Sequence, residues 1–340
     1  MQDRTAKKYT IGIGLTDRCN AKCPHCYSRP DDGHHDFDIS QVKRLVGSVP
    51  ISSINFGTGE SILHADFIDI IRWLGERDIS MSLTTNGTTV EALSDDDLYI
   101  FHDIDFSLDF PDRKLNDEWR GAGSYDAVMK GAERCQSLGI EMSFVACLMK
   151  ENHSYLGKLA KMSADEGVNL RVNVYKPVFT PKHQPDYRQF WLAISEMMDN
   201  AYLTACSEPI VNAAIGRTSK KGGSPCGNHS LRIHPDGIIV PCVYLNESPI
   251  TVDDFIDRRE FSEDFLKNTL NFELPQACRD CDLRDICRGG CASRRFYNGV
   301  SQPDEYCFVV KDEKPDLKPK WKESKGLVHE DYLCTMIFSG

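Results

Sequence analysis

The stretch Cys19-Asn-Ala-Lys-Cys23-Pro-His-Cys26-Tyr27 lies a few residues after the apolar run 9–15. Its three cysteines are spaced four and three residues apart. They cannot all pair as disulfides without strain, but their thiolates can reach one metal cluster. A cubane iron–sulfur cluster has four irons, and three cysteines leave one of them free to bind a substrate or cofactor. A zinc site is the alternative, because His25 is available as a fourth ligand.

The composition limits the class of protein. A length of 340 residues suits one large domain or two, and a formal charge of −11 argues against a general nucleic-acid binder. No apolar run approaches the length of a membrane span, and residues 1–8 lack the apolar centre of a signal peptide. We therefore expect a cytoplasmic protein, in which fourteen cysteines more often hold metal than form disulfides.

The first half of the chain alternates between short apolar runs and stretches with helical periodicity. The strand-like runs are residues 9–15, 51–56, 79–84, 104–108, 140–149 and 169–175, and the helical stretches are residues 38–49, 67–74, 90–98, 125–138 and 155–166. Alternation of this kind predicts a parallel sheet covered by helices. Six strand units are too few for a full eight-stranded barrel.

The C-x3-C-x2-C spacing after a first strand resembles the signature of the radical S-adenosylmethionine (radical SAM) family, and the six strand units match its partial (β/α)6 barrel. The resemblance implies that Cys19, Cys23 and Cys26 hold a 4Fe–4S cluster whose free iron binds the amino and carboxylate groups of SAM. One electron, with flavodoxin or ferredoxin as the implied donor, then cleaves SAM to methionine and a 5′-deoxyadenosyl radical. This radical abstracts hydrogen from the substrate.

Several strand ends also resemble the SAM contacts of that family. Gly57-Thr58-Gly59-Glu60 is similar to its Gly-Gly-Glu motif, whose backbone and acid hold the SAM amino group, although Gly-x-Gly is also typical of an ordinary strand–helix turn. Ser107-Leu108-Asp109 resembles the segment that contacts the SAM methionine and ribose. Arg120 is a candidate partner for the SAM carboxylate, and a plain surface arginine is the alternative. His25 and Tyr27 stand where the family places an aromatic ring against adenine.

The second half carries seven more cysteines at specific spacings, with a predicted β-hairpin at residues 233–242. This pattern, including Gly237 five residues before Cys242, resembles the SPASM extension of radical SAM enzymes. The resemblance implies two auxiliary 4Fe–4S clusters, an outer one on Cys278, Cys281, Cys287 and Cys307 and an inner one on Cys226, Cys242 and Cys291. Some members supply an eighth cysteine shortly before the first of the seven, and this chain does not. We expect an open position on the inner cluster, with Cys206, on the preceding helix, as the alternative ligand.

The segment that contains Pro177, Pro181 and Pro185 interrupts the alternation and indicates a boundary. The expected domains are the radical SAM partial barrel at residues 1–180, a bridging helical segment at 181–225, the SPASM domain at 226–312 and a C-terminal tail at 313–340. The bridging segment ends in a predicted loop at 218–225. The tail carries Cys334 after a lysine-rich run, and the sequence does not decide whether it folds back over the domain.

The auxiliary cysteines suit net oxidations, and the resemblance predicts an enzyme that modifies a ribosomally made peptide or protein by a crosslink, a thioether, another oxidation or an epimerisation. Because the first strand begins near Tyr9, we expect a separate partner to supply any leader-peptide-binding domain. One alternative is a small-molecule dehydrogenase or epimerase that acts on a sugar or aminocyclitol. Another is a non-catalytic metal-binding interaction protein. Cys147 is either a buried small residue or a thiol that donates hydrogen to a substrate radical; no catalytic residue is assigned.

Overall fold

A computed structural model describes residues 8–28, 33–217, 223, 226–227, 229–245, 249–328, 330 and 334–340. One eleven-stranded sheet runs through this part of the chain. Its strands are β1 (Tyr9–Ile13), β2 (Ile51–Phe56), β3 (Ser80–Thr85), β4 (Asp103–Ser107), β5 (Glu141–Leu148), β6 (Asn169–Val174), β7 (Tyr202–Cys206), β8 (Ser230–Ile233), β9 (Ile238–Val240), β10 (Ile250–Thr251) and β11 (Thr335–Ser339).

Helices connect and cover these strands. They are α1 (Ile39–Ser48), α2 (Phe67–Gly75), α3 (Thr88–Ala92), α4 (Asp95–Leu98), α5 (Arg113–Arg120), α6 (Ser124–Leu138), α7 (Leu156–Asp165), α8 (Tyr187–Asn200), α9 (Pro209–Ala214), α10 (Val252–Arg258), α11 (Glu263–Thr269), α12 (Gln276–Arg279), α13 (Arg284–Cys287) and α14 (Ala292–Asn298). Short 3-10 helices lie at Ser61–Leu63, Pro181–His183 and Val309–Lys311. No helix within the described ranges combines the length and the apolar composition that crossing a bilayer requires.

The first six strands are parallel neighbours in sequence order, from β1 to β6. Helices of the first half pack on them, and buried phenylalanines such as Phe56, Phe106 and Phe144 fill the core. The predicted α/β fold with a six-strand parallel sheet is therefore confirmed. The carboxyl ends of parallel strands meet at one edge, which is where α/β proteins place their ligand sites.

Local chemistry explains most helix ends. Asp38 begins α1 by accepting a 2.6 Å hydrogen bond from the Ser40 amide, and Gly139 ends α6 in the left-handed conformation that glycine adopts readily. The single helix predicted at residues 90–98 is wrong, because the chain forms α3 and α4 instead. Leu93 is extended between them, and the Ser94 hydroxyl caps α4 by accepting from the Asp97 amide.

The second half extends both edges of the sheet. Strand β8 pairs in parallel with β1, and the predicted hairpin is formed by β8 and β9. Strand β11 lies antiparallel between β6 and β7, so the tail does fold back onto the sheet. Cys206 ends β7, and its expected place on a helix is wrong. The sheet takes strands from all four expected segments, the division into domains stays a prediction, and the predicted loop at 218–225 lies outside the described residues except for residue 223.

Candidate functional site

A cavity of about 740 Å³ opens where the parallel strands end at their carboxyl termini. The cysteines of the first motif line it, together with seven of the eight candidate SAM contacts. These residues are Cys19, Cys23, Cys26, His25, Tyr27, Gly57, Gly59, Glu60, Ser107 and Arg120. Asp109 is the eighth candidate and lies behind this described lining, with no exposed surface. The structure therefore brings the predicted site residues of the first half together.

Gly59 allows the turn after β2 to dock on the loop that carries the cysteines. Its backbone has a φ of 65°, and a Cβ atom there would lie 2.6 Å from the Arg18 carbonyl oxygen and closer still to that of Thr16. The neighbouring Glu60 amide donates a 2.8 Å hydrogen bond to the Arg18 carbonyl. The glycine at this position is thus required for the contact between the turn and the cysteine loop.

The carboxylate of Glu60 is 1% exposed and holds the turn that follows β3. Its Oε1 atom accepts hydrogen bonds from the Thr85 hydroxyl and from both the amide and the hydroxyl of Thr89, and its Oε2 atom accepts from the Asn86 amide at 3.0 Å. A carboxylate oxygen accepts about two hydrogen bonds, so Oε2 retains acceptor capacity towards the cavity. Glu60 can accept one further donor, such as an ammonium group.

Asp109 positions Arg120 against the cysteine loop. The Asp109 Oδ2 atom accepts a 2.8 Å hydrogen bond from Arg120 Nε, and its Oδ1 atom accepts one of 2.9 Å from the Cys147 amide. Arg120 Nη1 then lies 3.8 Å from the Sγ atom of Cys23. Asp109 itself acts on the cavity through these partners, and Arg120 places a positive charge beside a candidate cluster ligand.

His25 is held by Trp119, a residue that the sequence analysis missed. The indole Nε1 of Trp119 donates a 2.8 Å hydrogen bond to His25 Nδ1, and His25 Nε2 lies 3.4 Å from Asp109 Oδ2. Because an indole nitrogen only donates, we assign the imidazole proton to Nε2. A zinc ion on His25 would break one of these contacts. The only sequence signal for Trp119 is its position next to Arg120.

Tyr27 joins the cysteine loop to the second half of the chain. Its hydroxyl lies 3.2 Å from Thr58 Oγ1, and its ring packs edge-on against Tyr244 with the centroids 5.3 Å apart. Tyr244 belongs to the segment after β9, next to the predicted auxiliary cysteine Cys242. Both aromatic rings line the cavity, so the two halves of the chain share its wall.

Two charged side chains extend the cavity into the interior of the sheet. Arg171 Nε lies 3.3 Å from Asp105 Oδ2, and burial raises the pKa of Asp105 to about 6, although Arg171 opposes that shift. The Nη1 and Nη2 atoms of Arg171 have no hydrogen-bond partner among the described residues. Buried donors of this kind are available to a carboxylate or another polar group that enters the cavity.

The chemistry of the first-motif thiols fits an iron–sulfur cluster. Burial raises the pKa of Cys19 to about 11 and also raises the pKa of Cys23, which Arg120 partly offsets. Metal must therefore displace their protons when it binds. Three thiolates that line one cavity are ligands of the kind that an iron–sulfur cluster takes.

The cysteines of the second half form two groups. Cys278, Cys281, Cys287 and Cys307 line one small cavity, as the resemblance to the SPASM pattern implies. Cys226, Cys242 and Cys291 line another, and Cys334 lines it with them. Cys206 is outside the described lining of both, and its thiol donates to the Glu208 carbonyl at 3.9 Å.

A buried ion cluster lies beside both cysteine groups. Arg294 donates to Glu208 Oε2 at 3.0 Å and to Asp304 Oδ2 at 2.6 Å, and the side chains of Arg294 and Glu208 are fully buried. Asp304 Oδ2 also accepts a 2.9 Å hydrogen bond from the Cys291 amide. Asp304 also lines the cavity of the outer group. Its carboxylate therefore links the backbone of the inner group, at Cys291, to the cavity of the outer group.

The chain is similar to known proteins in sequence and in fold. Residues 13–162 match the model of the radical SAM superfamily. The chain is 24% identical to mycofactocin maturase MftC of Mycolicibacterium smegmatis, over 92% of this chain and 87% of that protein. It is 25% identical to Fe-coproporphyrin III synthase of Methanosarcina barkeri, over 90% of this chain and 89% of that protein. The structure of Streptococcus suis SuiB bound to precursor peptide SuiA shares the fold with a TM-score of 0.69 at 18% identity, covering 90% of this chain and 76% of SuiB.

Proposed function

We propose that this chain, whose residues 13–162 match the radical SAM superfamily, is an enzyme that modifies a ribosomally synthesised peptide or protein through a 5′-deoxyadenosyl radical. The observation that carries the proposal is the convergence of three thiols, Glu60 and Arg120 on one cavity at the strand ends. Cys19, Cys23 and Cys26 are the residues that would hold the 4Fe–4S cluster. When bound, the cluster supplies the electron that splits SAM into methionine and the radical.

The protein residues bind and orient the reactants. Glu60 Oε2 has acceptor capacity for the ammonium group of SAM, and Arg120, held by Asp109, presents positive charge to the SAM carboxylate. His25 is fixed by Trp119 and Asp109, so it keeps one orientation on the cavity wall. Tyr27 and Tyr244 cover the same wall with aromatic surface, which excludes water from a reactive radical.

Two observations support a peptide or protein substrate. MftC, which is similar over most of its length, is named a maturase, and SuiB has been seen with a precursor peptide. The two cysteine groups of the second half suit auxiliary clusters that accept an electron from a substrate radical, so we propose a net oxidation. A flavodoxin or ferredoxin would supply the reducing electron.

A small-molecule substrate is the second candidate. Fe-coproporphyrin III synthase is 25% identical to this chain, close to the 24% of MftC, and its name denotes a small-molecule product. The Nη atoms of Arg171, which have no hydrogen-bond partner among the described residues, suit a carboxylate of either class of substrate. The choice therefore rests on substrate assays.

Deoxyadenosine formation tests the proposed activity. Anaerobically reconstituted protein should form 5′-deoxyadenosine from SAM under dithionite, and Cys23→Ala should abolish this while the auxiliary iron remains, because two thiolates hold the first cluster too weakly. The control is Cys135→Ala, since Cys135 is a fully buried thiol on α6 and does not line the cavity. Undiminished deoxyadenosine formation by Cys23→Ala would contradict the assignment of Cys23 as a ligand of the first cluster. If the unsubstituted protein binds iron but does not cleave SAM, a non-catalytic role is favoured.

Isotope transfer decides the substrate class. Short peptides encoded beside this gene, synthesised with deuterated side chains, should pass deuterium to deoxyadenosine and change in mass after the reaction. Deuterated sugars, aminocyclitols and tetrapyrroles are the comparison set. Transfer from one of these, with none from the peptides, replaces the peptide proposal with the small-molecule alternative.

A further inference from the structure

Cys334 comes from the C-terminal segment, yet it lies among the cysteines of the predicted inner cluster. We infer that Cys334 is the fourth ligand of that cluster, with Cys226, Cys242 and Cys291 as the other three. The inference rests on the auxiliary clusters of the proposed function. It replaces the open position expected from the sequence, where no cysteine precedes Cys226 at the family spacing.

The four thiols line one cavity, and Cys334 contacts two of the other three. Cys334 forms side-chain hydrogen bonds with both Cys226 and Cys291, and Cys242 lines the same cavity. All four are free thiols, so none is committed to a disulfide. Four thiolates drawn from separate segments are the ligand set of a 4Fe–4S cluster with every iron protein-bound.

Backbone pairing fixes Cys334 in place. The next residue, Thr335, begins β11, and its hydroxyl donates a 3.1 Å hydrogen bond to the Val172 carbonyl of β6. On the other side, the Thr335 carbonyl accepts a 2.9 Å hydrogen bond from the Ser207 amide after β7. Thr335 is fully buried. Cys334 is thus held between two strands by its neighbour, as a ligand on a rigid element should be.

Cys206 is a matched control for Cys334. Both are 8% exposed and both adjoin strands of the same part of the sheet, since Cys206 pairs with Met336 across β7 and β11. The Cys206 thiol, however, donates to the Glu208 carbonyl and lies outside the described lining of the inner cavity. The structure therefore favours Cys334 over Cys206, which is the alternative ligand expected from the sequence.

Ligation by Cys334 determines how a substrate can use the inner cluster. With four thiolates bound, no iron is left for direct coordination by a substrate amine or thiolate. Asn173, Lys176 and Tyr244 line both the inner cavity and the large cavity, so they form the wall between the two. A substrate meets these side chains rather than an iron atom.

The test uses a chain in which Cys19, Cys23 and Cys26 are all replaced by alanine, so that the remaining iron belongs to the auxiliary groups. This parent should hold about eight irons, as two four-iron clusters. Cys334→Ala should lower the count to about seven with a 3Fe–4S electron paramagnetic resonance signal, or to about four if the whole inner cluster is lost. Cys206→Ala should keep the parental count and spectrum.

Three results overturn the inference. They are an unchanged iron count and spectrum in Cys334→Ala, losses in Cys206→Ala that equal those in Cys334→Ala, and a parent that binds zinc or no metal at the auxiliary groups. Cys334→His gives a second variant, which should keep the iron and raise one midpoint potential, because imidazole in place of thiolate does so. In the parent with the three alanines, which lacks the first cluster, added imidazole should leave the spectra unchanged; a shift would show an open iron and would be a fourth result against the inference. SAM cleavage is not part of these readouts, so failure of the proposed activity remains separate.

Discussion

Asp109→Asn tests whether one buried carboxylate holds the cation of the candidate SAM site. Asp109 is fully buried and accepts from Arg120 Nε at 2.8 Å and from the Cys147 amide at 2.9 Å. An asparagine side chain offers one acceptor oxygen and an NH2 group, so one of these donors loses its acceptor in either orientation. Arg120 also loses its counter-charge in a site where its side chain is only 11% exposed.

Removal of one partner from a buried ion pair costs about 3–5 kcal/mol. With an m-value of about 3 kcal/mol/M in urea, the unfolding midpoint should fall by roughly 1–1.7 M. The assay is urea unfolding of the anaerobically reconstituted protein, followed by circular dichroism. Asp165→Asn is the control, because Asp165 pairs with Lys161 at the surface and both side chains are 62% exposed, which predicts a loss of about 0.3–0.5 kcal/mol. Equal midpoints for the two variants would refute the role of Asp109.

Two further substitutions address the backbone and the second half. Gly59→Ala should lower the free energy of unfolding by at least about 1–2 kcal/mol, because the left-handed backbone alone costs that much and the new Cβ meets two carbonyls. The control is Gly47→Ala in α1, where a new Cβ has no atom within 4 Å. This variant should raise the free energy of unfolding by about 0.5–1 kcal/mol in the same assay. Equal effects would contradict the steric argument. Arg294→Met should cost about 3–5 kcal/mol and release auxiliary iron, measured by iron analysis, whereas the exposed Arg188→Met should stay within about 0.5 kcal/mol. Iron retained in full by Arg294→Met would show that the ion cluster does not support the cysteine groups.

The features of the fold and site that could be predicted are those determined by residues close together in the sequence. Three cysteines within eight residues must end in one loop, and apolar runs such as Ile51–Phe56 are strands because their side chains are buried on both faces of a parallel sheet. Parallel order then places the strand ends at one edge. Glu60 and Ser107 reach the same cavity for this reason, and Arg120 joins them from the end of α5.

The parts that could not be predicted depend on contacts between distant segments. Ser94 competes with helix continuation through its own hydroxyl, which divides the helix expected at 90–98. Trp119 reaches His25 across 94 positions, and nothing in the local pattern names that partner. Cys334 follows Cys307 after a charged segment with no motif spacing, so only the pairing of β11 shows which cavity it joins.

The position of β11 makes assembly of the protein sequential in time. Strand β6 ends at Val174 and its neighbour β11 begins at Thr335. During synthesis, the β6 edge of the parallel sheet therefore has no neighbouring strand until roughly 160 further residues have been made. At about 5–20 residues per second, that wait is roughly 8–32 s. During this time β6 presents an unpaired edge, which is a site for aggregation or chaperone binding. Cys334 immediately precedes this strand, so the proposed fourth ligand of the inner cluster would reach its place only after β11 has docked.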